Sequence, residues 1–203
     1  MAEGDLLPAR IQNAIMDVLA RIPKTRERPA GTPITRARAI AKTAALKSAT
    51  VSGSLSLPPG PAGLLTIIPD LTIVWKIQSQ MVADIAGAFG KDSFLGEKQM
   101  LYCLFRHAAA QTVRGLVIRA GERILIEKAP AHAAATAVKK IGPSLARRIA
   151  GRGLSRWLPV VGAMGVGAYA YYDTMRVATT TIDLFRSDLV LADPRDAPVS
   201  AAD

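Results

Sequence analysis

The chain has 203 residues, half of them hydrophobic, with a mean hydropathy of +0.22 and a formal charge of +10. That length suits one compact domain with a real core, or one domain plus tails, and the positive balance suits an anionic partner such as phospholipid head groups or nucleic acid. Cys103 is the one cysteine, which excludes an intramolecular disulfide and disfavours a cysteine-based metal site.

Much of the apolar content is alanine, which favours helix and close packing. At the N-terminus Asp5, Arg10, Asp17 and Arg21 interrupt any apolar run, so no export leader is expected. In "LLPARIQNAIMDVLARIP" Leu7, Ile11, Ile15, Val18, Leu19 and Ile22 recur at three and four, predicting an amphipathic helix that Pro23 ends. The polar "KTRERPAGTP" reads as a linker, closing an N-terminal unit of 1–32. Thr32 and Pro33 then read as N-cap and first residue of a second helix, with a stripe of mostly small residues at Ile40, Ala44, Ser48, Val51 and Leu55. "LPPGPAG" reads as a turn, and the next helix is expected from about Pro69 to Ala88, with Gly90 closing it.

An Asp or Ser cap near 92 or 93 should open a helix running from Phe94 into the 120s, with Met100, Leu101, Leu104, Phe105 and Ala108 on one side and Gly115 and Gly121 as possible divisions. An alanine-rich helix over roughly 130–141, a short basic one over 143–151 and a long one within 158–186 complete a helical domain of 33–190. The polar, proline-containing tail 191–203 is expected to be disordered. No segment shows the alternation expected of a strand ladder. The predicted fold class is all-α, a compact bundle of five to seven helices with two Gly/Pro-rich apolar, hairpin-like segments.

Charge is segregated along the chain. Between Glu27 and Asp70 there is no acid, and between Glu127 and Asp173 there is again none, only Lys128, Lys139, Lys140, Arg147, Arg148, Arg152 and Arg156. Each acid-free stretch leads into an apolar segment, "LSLPPGPAGLLTIIPD" and "WLPVVGAMGVGAYAYYD", each Leu-Pro, then glycines, then Asp, as in two copies of one device. A spanning helix needs about 20 predominantly apolar residues to cross roughly 30 Å. Neither segment reaches that length uninterrupted, which leaves a buried hairpin in a core or a shallow hairpin on lipid with basic flanks.

The stretch "LKSATVSGSLSLPPGPAGLLTIIPDLTIVWKIQSQMVADIAGAFGKD", followed about a hundred residues later by "LPVVGAMGVGAYAYYDTMRVATTTIDLFR", resembles the EcsC family of bacterial proteins. The matched pieces are a Pro/Gly-rich turn into "PDL", a helix ending in aromatic-Gly-Lys/Asp, and "PVVGA" with spaced glycines into a Thr-containing helix ending "FR". The resemblance covers about a third of the chain. It implies a helical, hydrophobic bacterial protein, with a type member associated with an ABC-transporter operon, and it implies no catalytic residues or cofactor.

Among candidate site residues, Asp70 and Asp173 stand at matching places in the two apolar devices. Each reads as a helix-start carboxylate, as a buried polar partner of Arg or Lys, or as part of an apolar pocket between the segments. Asp84, fourteen residues after Asp70, is roughly 21 Å away along a helix, too far for a general acid/base pair. His107 and His132 lack any metal-ligand spacing and read as surface or capping histidines, and Cys103 as a small core residue. In "GAMGVGA" the order is GxxGxG with no preceding strand, so Gly162, Gly165 and Gly167 are expected to serve close helix packing rather than nucleotide binding.

Lys139, Lys140, Arg147, Arg148, Arg152 and Arg156 are the expected contacts to anionic lipid. The absence of aromatic or polar readers among them disfavours nucleic acid. The expected function is a membrane-associated binding or scaffolding protein, with no catalytic motif recognised, and with an anionic membrane surface and a membrane protein as partners. Its expected place is the cytoplasmic side of a bacterial inner membrane, peripheral or shallowly inserted, or else the cytoplasm. The alternative is a small-molecule binder or enzyme with an apolar pocket near Asp70 and Asp173.

Overall fold

The computed structural model describes residues 3–55, 62–107, 118–120, 123–126, 137–141, 143 and 159–191, with side chains described at 8–54, 71–107, 137–141, 143 and 165–187. Five named helices, α1 (Glu3–Ala20), α2 (Pro33–Leu55), α3 (Ala62–Ala88), α4 (Glu97–Phe105) and α5 (Pro159–Arg186), together with a helical segment at 137–141, form an all-α bundle. The expected 191–203 tail lies outside the described residues apart from its first residue, which ends a strand, and so does most of the expected helix at 143–151.

One shared core holds the bundle. Ile11, Ile15 and Leu19 of α1, Met81 and Ile85 of α3, Met100 and Leu104 of α4, Ile141, and Leu184 and Phe185 of α5 are all buried in it. Trp75 meets Phe105 edge-on at 5.3 Å between ring centroids and 74° between planes, an arrangement favoured by the ring quadrupoles. The N-terminal helix is therefore part of the core rather than a unit set apart from it.

The segment expected as a free linker is a strap along the last turns of α3. Gln80 Nε2 donates to the Lys24 carbonyl, the Arg26 N–H donates to Asp84 Oδ1 at 2.8 Å, and the Ala30 N–H donates to the Ala88 carbonyl. Gly87 gives the strap room, because a Cβ there would collide with the Thr25 side chain.

Helix ends follow local chemistry. The Thr32 carbonyl accepts from the Arg36 N–H at 3.1 Å, so α2 begins where Thr-Pro predicts. Gly90, at φ +66°, closes α3: the Lys91 N–H reaches the Ala86 carbonyl and the Gly90 N–H the Gly87 carbonyl, the paired bonds of a left-handed glycine cap.

Three boundaries differ from expectation. Helix α3 starts at Ala62 rather than Pro69, so Pro69 is internal and the ladder simply lacks its N–H. Asp92–Phe94 is a 3₁₀ turn, and α4 starts only at Glu97, with the Gly96 N–H donating to Gln99 Oε1 at 3.1 Å. Helix α4 then ends at Phe105 instead of running into the 120s.

Beyond it a small ribbon is attached to the bundle. Strand β1 (Ile118–Ala120) pairs antiparallel with β2 (Arg123–Ile126), and β2 pairs parallel with β3 (Asp188–Leu191), which follows α5 directly. Ala120 faces Arg123 across the first pair.

Helix α2 runs antiparallel to both α3 and α5 and packs against both. Arg36 and Lys47 share one groove with Asp84 and Ile73, while Ile34 and Lys42 share another with Arg186 and Met175. The side of α2 turned inward is Ala37, Ala41, Ala44, Ala45, Ser48 and Ser52, all buried. Of the expected stripe, Ala44 and Ser48 are buried, Ile40 packs half-buried against the core and Val51 is half-buried, while the side chain of Leu55 lies outside the described residues. Close approach explains the small residues turned inward: a Cβ at Gly167 would lie 2.9 Å from the Ala49 carbonyl oxygen and 3.7 Å from Gly53 Cα.

Candidate functional site: a buried polar knot and a cationic ridge

Asp173 on α5 is the centre of a half-buried polar knot. His107 Nε2 lies 2.7 Å from Asp173 Oδ1, and Gln78 Nε2 donates to Asp173 Oδ2 at 2.9 Å and to Thr174 Oγ1 at 3.2 Å. The carboxylate is an acceptor, so His107 carries its proton on Nε2 and leaves Nδ1 as the free ring nitrogen in the neutral form. His107 Nδ1 and Gln78 Oε1 are buried without partners among the described residues, as is Ser48 Oγ on α2. A buried polar atom left unpaired costs about 1–3 kcal/mol, so the bonds that are made here matter for stability.

The knot joins α3, the turn after α4 and α5. Asp173 thus meets a histidine and a glutamine, rather than the Arg or Lys that one of its readings offered. His107, expected at the surface, is only 18% exposed at its side chain and is Asp173's closest partner. Gln78 was legible in principle: it interrupts the buried stripe Val74, Trp75, Val82 and Ile85, and a lone polar residue on an apolar helix face needs a polar partner across the interface.

A histidine oriented by a carboxylate is half of a nucleophilic site, and the chain's one cysteine does not complete it. Cys103, four residues before His107, is fully buried, and burial pushes its thiol up to about 12, against the lesser opposing effects of a Thr181 hydrogen bond and of Arg106. A thiol held neutral is no nucleophile. No group of three or more His, Cys, Asp or Glu side chains that could hold a metal occurs among the described residues.

Asp70 has its backbone at another level of α3. It lies on α3 eight residues before Gln78, about 12 Å along the axis, and its side chain is outside the described residues. The level of Gln78 on α3 is that of Asp173 and Thr174 on α5, an offset of 95–96 residues, whereas the two sequence devices match at an offset of 103 (Asp70 against Asp173). The similarity of the two segments is therefore not the register in which they pack.

The other expected residues separate. Lys139 and Lys140 are exposed, and the Lys139 carbonyl accepts from Gln12 Nε2 of α1. Arg147, Arg148, Arg152 and Arg156 lie outside the described residues, as do the surroundings of Gly162. Gly165 is exposed with no described atom within 4 Å of a Cβ placed there, so the expectation of close packing fails at that position. Two residues further on, Gly167 turns inward and meets α2.

The outward side of α2 is a second feature. Its 23 residues hold Arg36, Arg38, Lys42 and Lys47, all exposed, and no acid. At 100° per residue, Arg38 and Lys42 fall on one flank and Arg36 and Lys47 on the other, with Ala39, Thr43 and the 53% exposed Leu46 between them. Only Arg36 has a described carboxylate partner, a two-pronged pair with Glu27 at 2.7 and 2.8 Å. That pair holds the Glu27 carboxyl below its ordinary value and the Arg36 guanidinium above its own.

A groove runs along each flank. The one toward α3 is about 490 Å³, with Ile40, Ala44, Ile73, Ile77 and Met81 among its lining, and the one toward α5 is about 420 Å³. Asp173 lines neither. No described helix is long and apolar enough to cross a membrane. Comparison with protein-family models, with curated proteins and with solved structures finds no match to this chain.

Proposed function

We propose that this chain is a binding or scaffolding protein that docks peripherally on anionic lipid surfaces through the outward ridge of α2. The observation that carries the reading is a 23-residue helix whose outer side exposes four cations and, between them, a leucine, and which holds no acid. Cationic flanks around an apolar centre are the pattern of a helix that lies on a charged interface.

Arg38, Lys42 and Lys47 have no described carboxylate within salt-bridge distance, so their charge is available to a surface. Near an anionic leaflet each contributes about 1 kcal/mol, and the three together amount to roughly a hundredfold in partitioning. The acid-free basic stretch 128–156, with Lys139 and Lys140 exposed, adds to the same attraction. The EcsC-like order of motifs belongs to this proposal, and with it the cytoplasmic face of a bacterial inner membrane and a transporter-linked partner.

Co-sedimentation with vesicles of neutral or anionic phospholipid, at low and high salt, tests the reading. Binding should require anionic lipid, weaken with salt and fall about tenfold or more in Arg38→Gln/Lys42→Gln. Equal binding to neutral vesicles, or a double variant that binds like the parent chain, sinks it.

A further inference from the structure

We infer that the groove between α2 and α3 binds a single-chain anionic amphiphile, a medium-chain carboxylate, with its head at Lys47 and Lys76 and its alkyl chain along Ile77 toward Met81. This goes beyond surface docking and does not require it, because the ligand is a soluble monomer and the site is a groove rather than the ridge.

Three observations carry the inference. The first is size. A space of about 490 Å³ is in the range of small-molecule sites. From the level of Ile73 to that of Asp84 the groove spans eleven residues of α3, about 16 Å, which suits one extended alkyl chain of medium length.

The second is the division of polarity. The floor is aliphatic, with Ile73 39% exposed, and the described lining from α2 and α3 holds no aromatic ring. A flexible chain fits such a narrow aliphatic trough better than a flat ring system, which gains most from stacking.

The third is the distribution of charge along the groove. At one end the acids are already engaged: Glu27 by Arg36, and Asp84 by the Arg26 N–H and Gln80 Nε2. At the other end Lys47 and Lys76, one from each wall, are exposed and have no carboxylate within 4 Å among the described residues. The groove therefore offers an anion site at one end and no free anion at the other, which selects a negatively charged head and fixes its direction. A carboxylate matches two ammonium groups that act as point charges from opposite sides.

Titration calorimetry of the full chain with octanoate, decanoate and dodecanoate below their micelle concentrations tests this, with dodecyltrimethylammonium as the cationic counterpart. One molecule should bind per chain, with affinity rising up to roughly fourfold for each added CH₂ that is buried. Lys47→Gln/Lys76→Gln should weaken dodecanoate about tenfold, and Ile73→Trp, which fills the trough from an exposed position, should abolish it. Far-UV circular dichroism confirms that each variant is folded.

Arg38→Gln/Lys42→Gln serves as the separating control. It should leave dodecanoate binding intact while reducing vesicle binding, so failure of the groove and failure of the ridge are told apart. The inference is overturned by absence of dodecanoate binding, by equal binding of the cationic amphiphile, or by dodecanoate binding that persists unchanged in Ile73→Trp or in the lysine pair variant.

Discussion

The contact between α2 and α5 gives a sharp test in two substitutions two residues apart. Gly165→Ala and Gly167→Ala make the same change in the same helix, and both gain about 1 kcal/mol of helix propensity. Their surroundings differ. At Gly165 an added methyl meets open space, whereas at Gly167 it would sit 2.9 Å from the Ala49 carbonyl oxygen, a backbone atom that no rotamer change can move aside. Overpacking of this kind costs about 1–3 kcal/mol. Gly165→Ala should therefore stabilise by up to about 1 kcal/mol, and Gly167→Ala should fall below it by about 1–3 kcal/mol. For a domain of this size each kcal/mol corresponds to roughly 2–4 °C in Tm. Urea unfolding followed by circular dichroism, with m-values compared to verify that the unfolded states are alike, measures both. Two variants of equal stability would refute the close approach of α2 to α5 at Gly167.

Cys103 links stability to alkaline pH: its thiol rises from 9.0 when free to about 12 when buried, so the unfolded chain loses that proton first. The contribution is fully present below about pH 9, declines by about 1.4 kcal/mol per pH unit above it and is gone near pH 12. Urea unfolding of Cys103→Ala beside the parent chain should show the difference shrinking by about 2 kcal/mol between pH 9 and 10.5. A parallel pair of curves would contradict the burial of the thiol. In the knot, Asp173→Ala strands His107 and one bond of Gln78 and should cost about 1–3 kcal/mol. A double-mutant cycle with His107→Ala should return a coupling of at least about 1 kcal/mol, and an additive cycle would deny the pairing. Lys91 Nζ donates to the carbonyls of Phe185 and Ser187 at 2.9 Å each, tying the end of α5 to the loop after α3. Lys91→Met should cost about 1–2 kcal/mol and raise amide hydrogen exchange in the last turn of α5, and unchanged exchange there would argue against the tie.

Legibility varied with the range of the chemistry involved. The start of α2 at Thr32-Pro33 and the closure of α3 at Gly90 follow from groups within a few residues of each other, and the sequence predicts both. The start of α3 did not follow, because a proline on its own allows either a first turn or an interior position, and the helix in fact begins seven residues earlier, at Ala62. The ribbon was missed for a related reason. Strands of three and four residues carry too little alternation to be seen, and β2 and β3 are stabilised by pairing across more than sixty residues. In the candidate site Asp173 stood out as an acid inside an apolar helix, but its partners His107 and Gln78 come from other elements, and no spacing rule connects 78, 107 and 173.

What the sequence alone determined was the helical class, the positive and acid-free character of two stretches, and the inability of either apolar segment to span a bilayer unbroken. These depend on composition and on periodicities of three and four, which are carried by neighbouring residues. Only the tertiary structure decided which side of each helix faces inward and how the helices align. The offset of 95–96 residues between α3 and α5 brings Gln78 to Asp173 and leaves Asp70 about 12 Å away along α3. It likewise sets Gly167, not Gly165, against α2, and turns the four cations of α2 outward between two grooves. Such choices minimise the volume and polar mismatch of whole interfaces, sums over residues far apart in the chain, which a local pattern cannot contain.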